Sequence, residues 1–460
     1  MPQSNTGRSF SPEQRRQPAD FPIANLLSAQ EVEEAVTAEG YIYRDRLFAP
    51  FITIWVLCGQ VLDSDHSCRQ AVLRLAAWLK ANGQAVCSTC TGAYCKARQR
   101  LPEGIMARLA RSVGQKVERQ SPASWLWHRL RVLLADGSTL TMADSKANQK
   151  KYPQSRSQKK GLGFPIMRIC IIFSLSTGVV LDAAFNPYRG KGTGETAMLR
   201  SMMASLGAGD LLLGDRYYAN YWIIAIAQLL HVEVVFRQHQ LRKVDFRKGQ
   251  RLGKDDHIIT WEKPQRPKWM FVVLYGLLPD TLTLRETRLR IAKNKRRTKV
   301  IVVVTTLLDA RRYPKADLHE LYRQRWQAEL NLRSLKAQMQ MGILRCKSPD
   351  MVHKEIWAHF LVYNLVRKAM AQAAEKHKLR TWQISFKGAL QALNAFGGFW
   401  PMSRLPDPDG YYDLFLDVIA QHRVGNRPDR TEPRRVKRRA KPYPLLNKPR
   451  DQARAEELAA

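Results

Sequence analysis

The strongest constraint on the fold comes from residues 318–340, LHELYRQRWQAELNLRSLKAQMQ, which predict one long helix with two adjoining faces. Asp317 is a predicted N-cap with Glu320 three residues later, and Gly342 is a natural stop. At about 100° per residue, one arc is apolar and contains Leu321, Ala328, Leu332, Leu335 and Met339. A neighbouring arc of roughly 60° carries one carboxylate among two cations and a tyrosine, namely Tyr322, Arg325, Glu329 and Lys336.

The spacing of these four polar residues is more specific than their shared face. A solvated helix face also mixes charges of both signs, so that interpretation stays open from periodicity alone. The pattern Tyr-x2-Arg-x3-Glu-x6-Lys, however, resembles the YREK signature of IS4-type transposases, a branch of the DDE transposase and integrase superfamily. The resemblance covers residues 90 to 375 approximately and implies a bacterial insertion-sequence transposase.

The charge of the chain points to a polyanionic partner. A chain of 460 residues predicts two or three domains, and its formal net charge is +35. Nucleic acid is the first candidate and a membrane surface the weaker one, because the apolar run 48–62 contains Pro50 and is too short to span a bilayer. The N-terminus is polar rather than signal-like, which predicts a soluble cytoplasmic protein, associated with the bacterial nucleoid if the resemblance holds.

The seven cysteines predict reduced thiols rather than a disulfide framework. Cys87-x2-Cys90 followed by Cys95 resembles half of a zinc site, but no second pair follows at finger spacing. A structural zinc is therefore not expected.

The order of predicted elements indicates an α/β protein. Residues 1–22 are predicted to be disordered and 23–125 to form a helical DNA-end-binding region, with helices at 30–37 and 65–82. Its basic stretch 94–101 (YCKARQRL) resembles one often found before the catalytic domain in this family; its cations either contact phosphates or form a solvated helix face.

Residues 126–231 have the element order of the first half of a ribonuclease H-like core. The strand 127–142 is predicted to turn at Asp136-Gly137 and resume; strands at 164–175, 179–185 and 210–213 and helices at 194–206 and 219–230 follow. This likeness is one of fold and does not by itself give a function.

The remaining chain divides into three predicted parts. Residues 232–299 form a mostly β insertion with strand-like runs at 232–236, 257–261 and 270–277. Residues 300–396 complete the core with a buried strand at 300–307, the long helix and helices at 351–377 and 381–396. Residues 397–460 form a basic, proline-rich C-terminal tail that contains the run Arg434, Arg435, Lys437, Arg438, Arg439 and Lys441.

Phosphoryl transfer on DNA requires carboxylates from rigid elements to hold metal ions. Glu329 is one candidate. Asp215 follows the buried strand that ends at Gly214, where a lone charge is costly unless it is paired or metal-bound, although capping the helix near Tyr217 explains it equally well. Asp215-Arg216 resembles the second family motif, whose usual Gly-Phe is replaced here by Tyr217-Tyr218.

The first-strand candidate is Asp136. Asp-Gly between alternating segments is by itself a hairpin signal, but Asp136-Gly137-Ser138 matches the family's DG(T/S) motif. Asp144 is the reserve candidate. The interval from Asp215 to Glu329 is the longer of the two gaps and leaves room for the insertion.

The resemblance assigns a role to each of these residues. It implies Asp136, Asp215 and Glu329 as catalytic residues and ligands of two Mg²⁺, with Mn²⁺ as an alternative ion. DNA contacts are expected at Tyr322, Arg325, Trp326 and Lys336, with the two cations on phosphates. Trp326 either stacks on an unpaired base or packs in the core, and the core is the preferred interpretation.

The resemblance further implies synapsis of two double-stranded element ends by a homodimer. Two alternative functions remain open from the sequence: a non-catalytic DNA-binding protein derived from a transposase, and a metal-dependent repair nuclease on the same fold.

Overall fold

The computed structural model describes residues 26–293, 297–396, 407–425 and 445–459. The predicted disorder of residues 1–22 and the basic run 434–441 lie outside these ranges. The helices are α1 (Ala29–Ala38), α2 (Pro50–Leu62), α3 (Cys68–Ala81), α4 (Gly92–Arg100), α5 (Glu103–Gln120), α6 (Lys146–Lys151), α7 (Glu195–Met202), α8 (Tyr221–Leu229), α9 (Val272–Leu277), α10 (Lys315–Gln324), α11 (Trp326–Arg333), α12 (Pro349–Lys376), α13 (Phe386–Phe396), α14 (Pro408–Gln421) and α15 (Arg450–Ala459). The strands are β1 (Arg131–Met142), β2 (Ile166–Ser174), β3 (Val180–Pro187), β4 (Asp210–Gly214), β5 (Glu233–Arg237), β6 (Gln250–Gly253), β7 (Asp256–Glu262), β8 (Thr281–Lys293), β9 (Arg297–Thr305) and β10 (Ile343–Leu344).

The strands of the described residues form one mixed sheet in the order β3-β2-β1-β4-β5-β9-β8-β7-β6, and β10 pairs with β1. β2 is antiparallel to both of its neighbours, β1 and β3, whereas β4 and β5 continue the sheet parallel to β1. The mixed α/β class is therefore confirmed, and the order of the first five strands is consistent with a ribonuclease H-like core.

The predicted turn at Asp136-Gly137 is wrong. β1 runs through both residues and pairs with β2 from Leu133 opposite Ser174 to Thr141 opposite Ile166. Gly137 does not have the positive φ that a two-residue hairpin would require. Pairing along the whole strand outweighs the local turn signal, so Asp136 lies in the middle of β1.

The predicted insertion begins at residue 232 and therefore includes β5, which belongs to the core sheet. β5 pairs in parallel with β4, so it extends the core sheet. The strand predicted at 300–307 corresponds to β9, which is antiparallel to both β5 and β8 and belongs to the β6–β9 meander. The run 270–277 was predicted as strand-like, but it contains the short helix α9.

The predicted long helix is present as a helical path with a break. α10 begins at Lys315 after Pro314, and Asp317 lies in its first turn rather than at the N-cap, so the predicted capping box is wrong. The path breaks at Arg325, continues as α11 and ends in a π-helical turn, Ser334–Gln338. The five-residue hydrogen bonding of that turn rotates the side chains after Arg333 away from a regular helical wheel.

α12 is the central helix of the core. It is buried on nearly every face along Ile356–Met370 and packs against α2, α5, α13 and α14. α14 lies within the predicted tail, yet it buries Phe415 and Ile419 in the same core cluster, so this part of the tail is a folded helix. Among the described residues, no helix has the length and apolar character needed to cross a membrane.

Candidate active site

Three carboxylates from three separate elements line one open cleft of about 530 Å³. Asp136 lies in β1, Asp215 follows the last residue of β4, and Glu329 lies in α11. The parallel register of β1 and β4 explains the first two positions, because each aspartate lies two residues beyond the pair Leu134–Leu213. The remaining lining residues are Gly137, Arg325, Leu332, Arg333, Lys336 and Ala337.

Asp136 is the most perturbed carboxyl of the cleft. Its pKa is raised to about 6, chiefly by burial and to a smaller extent by the nearby carboxylates of Glu195 and Glu329. The Arg325 guanidinium and the Gly137 N–H, which donates to Asp136 Oδ1 at 3.0 Å, oppose this rise in pKa. A carboxylate crowded by like charges in a half-buried cleft is stabilised by a cation.

Asp215 caps a short turn and also lines the cleft, so the capping interpretation is confirmed and the metal-ligand interpretation stays a prediction. Its Oδ1 accepts the Arg216 N–H at 2.7 Å and so caps the short 3₁₀ turn Arg216–Tyr218. The same side chain also lines the cleft. The capping bond occupies one carboxylate oxygen with a single donor, which leaves lone pairs for a ligand.

Glu329 is held by a cation of its own helical path. Arg325 Nη2 donates to Glu329 Oε1 at 2.7 Å, four residues away. Burial opposes the charge of Arg325, but its bond to Glu329 and the charges of Tyr322 and Asp136 raise the Arg325 pKa above its ordinary value. Arg325 therefore acts as a shared counter-ion for Asp136 and Glu329 in this structure.

The other two residues of the YREK signature, Lys336 and Tyr322, are held by contacts within the protein. Lys336 Nζ donates to Ser138 Oγ at 3.0 Å and to the Thr139 carbonyl at 2.9 Å, and burial lowers its pKa. Tyr322 is only 6% exposed and packs in the core, and burial raises its pKa to about 12. Lys336 thus connects the π-helical turn to β1 two residues after Asp136.

Two further candidate residues, Trp326 and the reserve candidate Asp144, do not line the cleft. Trp326 is 53% exposed, so the preferred core role is wrong and the side chain offers a free surface. Asp144 is exposed, accepts the Gln149 side-chain amide at 2.8 Å and does not line the cleft. The structure brings together Asp136, Asp215, Arg325, Glu329 and Lys336.

Sequence reasoning missed Glu195 and Arg333. A Cβ atom on Gly137 would lie 2.3 Å from Glu195 Cδ, so the Glu195 carboxylate lies directly against the glycine that follows Asp136. Burial and the charge of Asp215 raise the Glu195 pKa, while Arg168 lowers it. In the sequence, Glu195 looks like an ordinary acidic residue in the first turn of a helix. Only the tertiary structure shows that its carboxylate lies next to Asp136.

Arg333 lies one helical turn after Glu329. It is exposed, lines the cleft and forms no ion pair with any residue that the structure describes. Its sequence signal is its i+4 spacing from Glu329.

The donor set of the cleft fits a hard divalent cation, because its candidate ligands are carboxylate oxygens. Within the described ranges, however, no group of three or more His, Cys, Asp or Glu side chains is placed to hold a metal ion. In this arrangement Arg325 bonds one of the two carboxylate oxygens of Glu329, Oε1.

Comparison with known proteins places this site in a family. The family model described as the transposase DDE domain matches residues 127–365, slightly more than half of the chain. Transposase InsG for insertion sequence element IS4 of Escherichia coli (strain K12) is 27% identical over 446 residues, 93% of this chain and 94% of the relative. The chain therefore belongs to the DDE transposases and is of the IS4 type, an insertion-sequence DNA transposase, which confirms the resemblance carried by the YREK spacing.

A solved piggyBac transposase synaptic complex with hairpin DNA matches at 10% identity and a TM-score of 0.42, covering 91% of this chain and 89% of that one. A superposition this loose carries no inference about the fold or the site.

Proposed function

We propose that the cleft between β1, the end of β4 and α11 cuts the ends of the element and joins their 3′-hydroxyls to target DNA. The observation that carries this proposal is the meeting of Asp136, Asp215 and Glu329 in one cleft of a chain from the DDE transposase family. Rigid elements present all three carboxylates, which is the arrangement that metal-assisted phosphoryl transfer needs.

Asp136, Asp215 and Glu329 would hold the divalent cations that DDE transposases generally use. Mg²⁺ is the proposed ion and Mn²⁺ an alternative. Two such ions stabilise the attacking and leaving oxygens of an in-line displacement. Glu195 adds negative charge beside this cleft, because after burial its carboxylate is one of the groups that raise the Asp136 pKa.

The cations of the cleft bind and position the DNA. Arg333 has no protein partner among the described residues and is the first candidate for a phosphate contact. A DNA phosphate competes with Glu329 for the Arg325 guanidinium, because Arg binds both groups through charge-assisted hydrogen bonds. Lys336 keeps its bonds to Ser138 and Thr139 and fixes the π-helical turn against β1.

The proposed substrates are the double-stranded ends of the element and a target duplex, synapsed by a homodimer. The exposed ring of Trp326 suits stacking on a base that leaves its pair near the cut. Light scattering of the purified protein, with and without end DNA, measures the mass of the complex and so tests the homodimer. A complex that holds two element ends should contain two protein chains.

The test of the catalytic proposal is strand transfer with Glu329→Gln and the matched variant Glu320→Gln. Glu320 makes the same kind of short-range ion pair, to Arg323 at 3.6 Å, and does not line the cleft. Glu320→Gln removes an exposed pair, worth about 0.3–0.5 kcal/mol of folding free energy, whereas the pair removed by Glu329→Gln is partly buried. Strand transfer to a supercoiled target should require Mg²⁺ and disappear only in Glu329→Gln, while binding of end DNA persists.

Three results would contradict the proposal. End binding without cleavage by the wild type, under conditions in which a related transposase is active, would indicate a non-catalytic DNA-binding protein. Cut but unjoined ends would indicate a nuclease. Loss of end binding in Glu329→Gln would assign that side chain a structural role.

A further inference from the structure

A cavity between the N-terminal helices and the loop before α12 contains three cysteines that the active site does not explain. The cavity has a volume of about 680 Å³, and its wall includes Cys68, Cys95 and Cys346. Each of the three is a free thiol and partly exposed, so small molecules can reach the sulfur atoms from the cavity. None of the three carboxylates of the cleft lines it. We call it the thiol cavity.

Cys68 is the best-placed nucleophile of the thiol cavity. Its sulfur accepts hydrogen bonds from Arg98 Nη1 at 3.0 Å and from Gln60 Nε2 at 3.7 Å. Cys68 is also the first residue of α3, whose first turn contains no acidic residue, so the free N–H groups of the helix start favour negative charge there. A neighbouring cation and a helix N-terminus are the surroundings in which a cysteine sulfur reacts as a thiolate.

The Arg98 guanidinium gives a second reason for negative charge on sulfur. The side chain is 8% exposed, and its other bonds run to Gln60 Oε1 at 3.3 Å and to Cys346 Sγ at 3.5 Å. Burial opposes its charge, but chiefly the charges of Tyr94 and Cys346 raise the Arg98 pKa above its ordinary value. A buried cation is costly without a negative partner, and of the groups bonded to this side chain only the two thiols ionise.

Cys95 supplies the second thiol. It lies in α4, which packs against α3, so the two sulfur atoms come from neighbouring helices. Burial, the charge of Cys68 and a hydrogen bond with the Cys68 side chain all raise the pKa of Cys95. Cys95 therefore keeps its proton while its sulfur touches that of Cys68. A bond between these two atoms would join the start of α3 to α4.

We propose that Cys68 and Cys95 form a reversible disulfide bond by exchange with a small organic disulfide such as glutathione disulfide. In the first step the Cys68 thiolate attacks one sulfur of the small disulfide, whose S–S bond breaks and releases one small thiolate. In the second step Cys95 loses its proton and attacks the Cys68 sulfur, which releases the second small thiolate. The two thiolates take up the two protons that the cysteines lose, so the cysteines are oxidised and the small disulfide is reduced to two thiols.

The proposed bond is a redox switch rather than a structural cross-link. All seven cysteines are free thiols in the structure, so the reduced chain adopts this fold without the bond. Arg98 also bonds Cys346, in the loop between β10 and α12. Oxidation of Cys68 removes one of the two ionisable partners of Arg98 at this junction between the N-terminal helices and the core. The site lies apart from the cleft, and the inference does not rest on the proposed function.

The experiment maps disulfide bonds in the full chain by mass spectrometry. The starting protein carries Cys87→Ser and Cys90→Ser, so that Cys95 is the one cysteine in the tryptic peptide 81–96. The reduced protein is incubated with glutathione disulfide, the remaining thiols are alkylated, and the tryptic peptides are identified with and without dithiothreitol. The expected product is peptide 81–96 joined to peptide 47–69, which contains the other cysteine of the proposed bond. Two thiols per chain should be lost, and dithiothreitol should restore both.

Single changes in this starting protein identify the two sulfur atoms. Cys68→Ser and Cys95→Ser should each abolish the joined peptide. Cys346→Ser is the matched control, because it removes the other thiol bonded to Arg98, and it should leave the yield of the joined peptide unchanged. Melting temperatures in dithiothreitol should agree among all variants, which excludes unfolding as the cause of a lost product.

Four results would overturn the proposal. A joined peptide that persists in Cys68→Ser would assign the bond to Cys58, the second cysteine of peptide 47–69. A bond from Cys68 to Cys346 would replace Cys95 as the partner. A glutathione adduct on Cys68 that Cys95 never displaces would contradict the second exchange, and an unreacted Cys68 would contradict the first.

Discussion

Asp136→Asn tests the electrostatics of the cleft directly. Burial raises the Asp136 pKa from its ordinary value of 3.8 to about 6. At 1.36 kcal/mol per pKa unit, ionising this carboxyl in the metal-free folded chain costs about 3 kcal/mol more than in the unfolded chain. Asparagine carries no charge at any pH and avoids this cost.

The sign of the effect follows from proton binding. Between about pH 4 and pH 6, the folded chain holds a proton on Asp136 that the unfolded chain has lost. The stability of the wild type therefore falls, relative to Asp136→Asn, as pH rises through this window. The two proteins should have similar stability near pH 4, and the variant should be more stable by up to about 3 kcal/mol at pH 7.

Urea unfolding in EDTA, measured at several pH values from about 4 to 7, gives the difference in unfolding free energy at each pH. Asp144→Asn is the control, because Asp144 is exposed and bonds only to the Gln149 side chain among the described residues. Mg²⁺ at pH 7 should stabilise the wild type and not Asp136→Asn, since the ion binds the folded carboxylate. A pH-independent difference between wild type and Asp136→Asn would refute the reasoning, as would a less stable variant at pH 7.

Three further changes have expected outcomes. Gly137→Ala places a Cβ 2.3 Å from Glu195 Cδ, so the carboxylates around it must shift. Strand transfer should fall by ~100-fold because the carboxylates are misplaced, while the melting temperature barely changes. Full activity of the variant would contradict the packing of Glu195 against Gly137. In a fluorescence-anisotropy assay, Trp326→Ala should weaken the binding of an element end with unpaired bases by about 5- to 150-fold. Binding of a blunt duplex should be unaffected. Equal effects on both DNA probes would exclude stacking. Arg285→Ala breaks a buried ion pair with Asp256. The free energy of unfolding, measured in urea, should fall by about 3–5 kcal/mol because Asp256 is left buried without its partner. A loss below ~1 kcal/mol would show that the pair is not buried in solution.

Several helices and strands were predictable because, in those segments, the local sequence pattern and the pairing or packing in the tertiary structure favour the same element. The helices and strands at 30–37, 164–175, 179–185, 210–213 and 219–230 correspond to α1, β2, β3, β4 and α8. Predictions failed where a local signal competed with a long-range one. Asp136-Gly137 has the composition of a hairpin turn, but β2 pairs with β1 along both residues. The strand-like run 270–277 contains a helix that exposes Val272 and Val273.

The sequence by itself determined the family, through four residue types at fixed helical offsets, and it placed Asp136, Asp215 and Glu329 among the candidates. It also determined the polyanionic class of partner through the net charge of +35. These features are carried by residue identity and spacing, which folding does not alter.

Only the tertiary structure decided how the charges pair. Glu195 lies beside the cleft because α7 begins against Gly137, and Lys336 turns to β1 because of the π-helical turn. Arg98 is buried, whereas Lys96 and Arg100 of the same helix are exposed. Coulombic energies depend on distance and on the surrounding dielectric, and both are set by contacts between residues far apart in the chain.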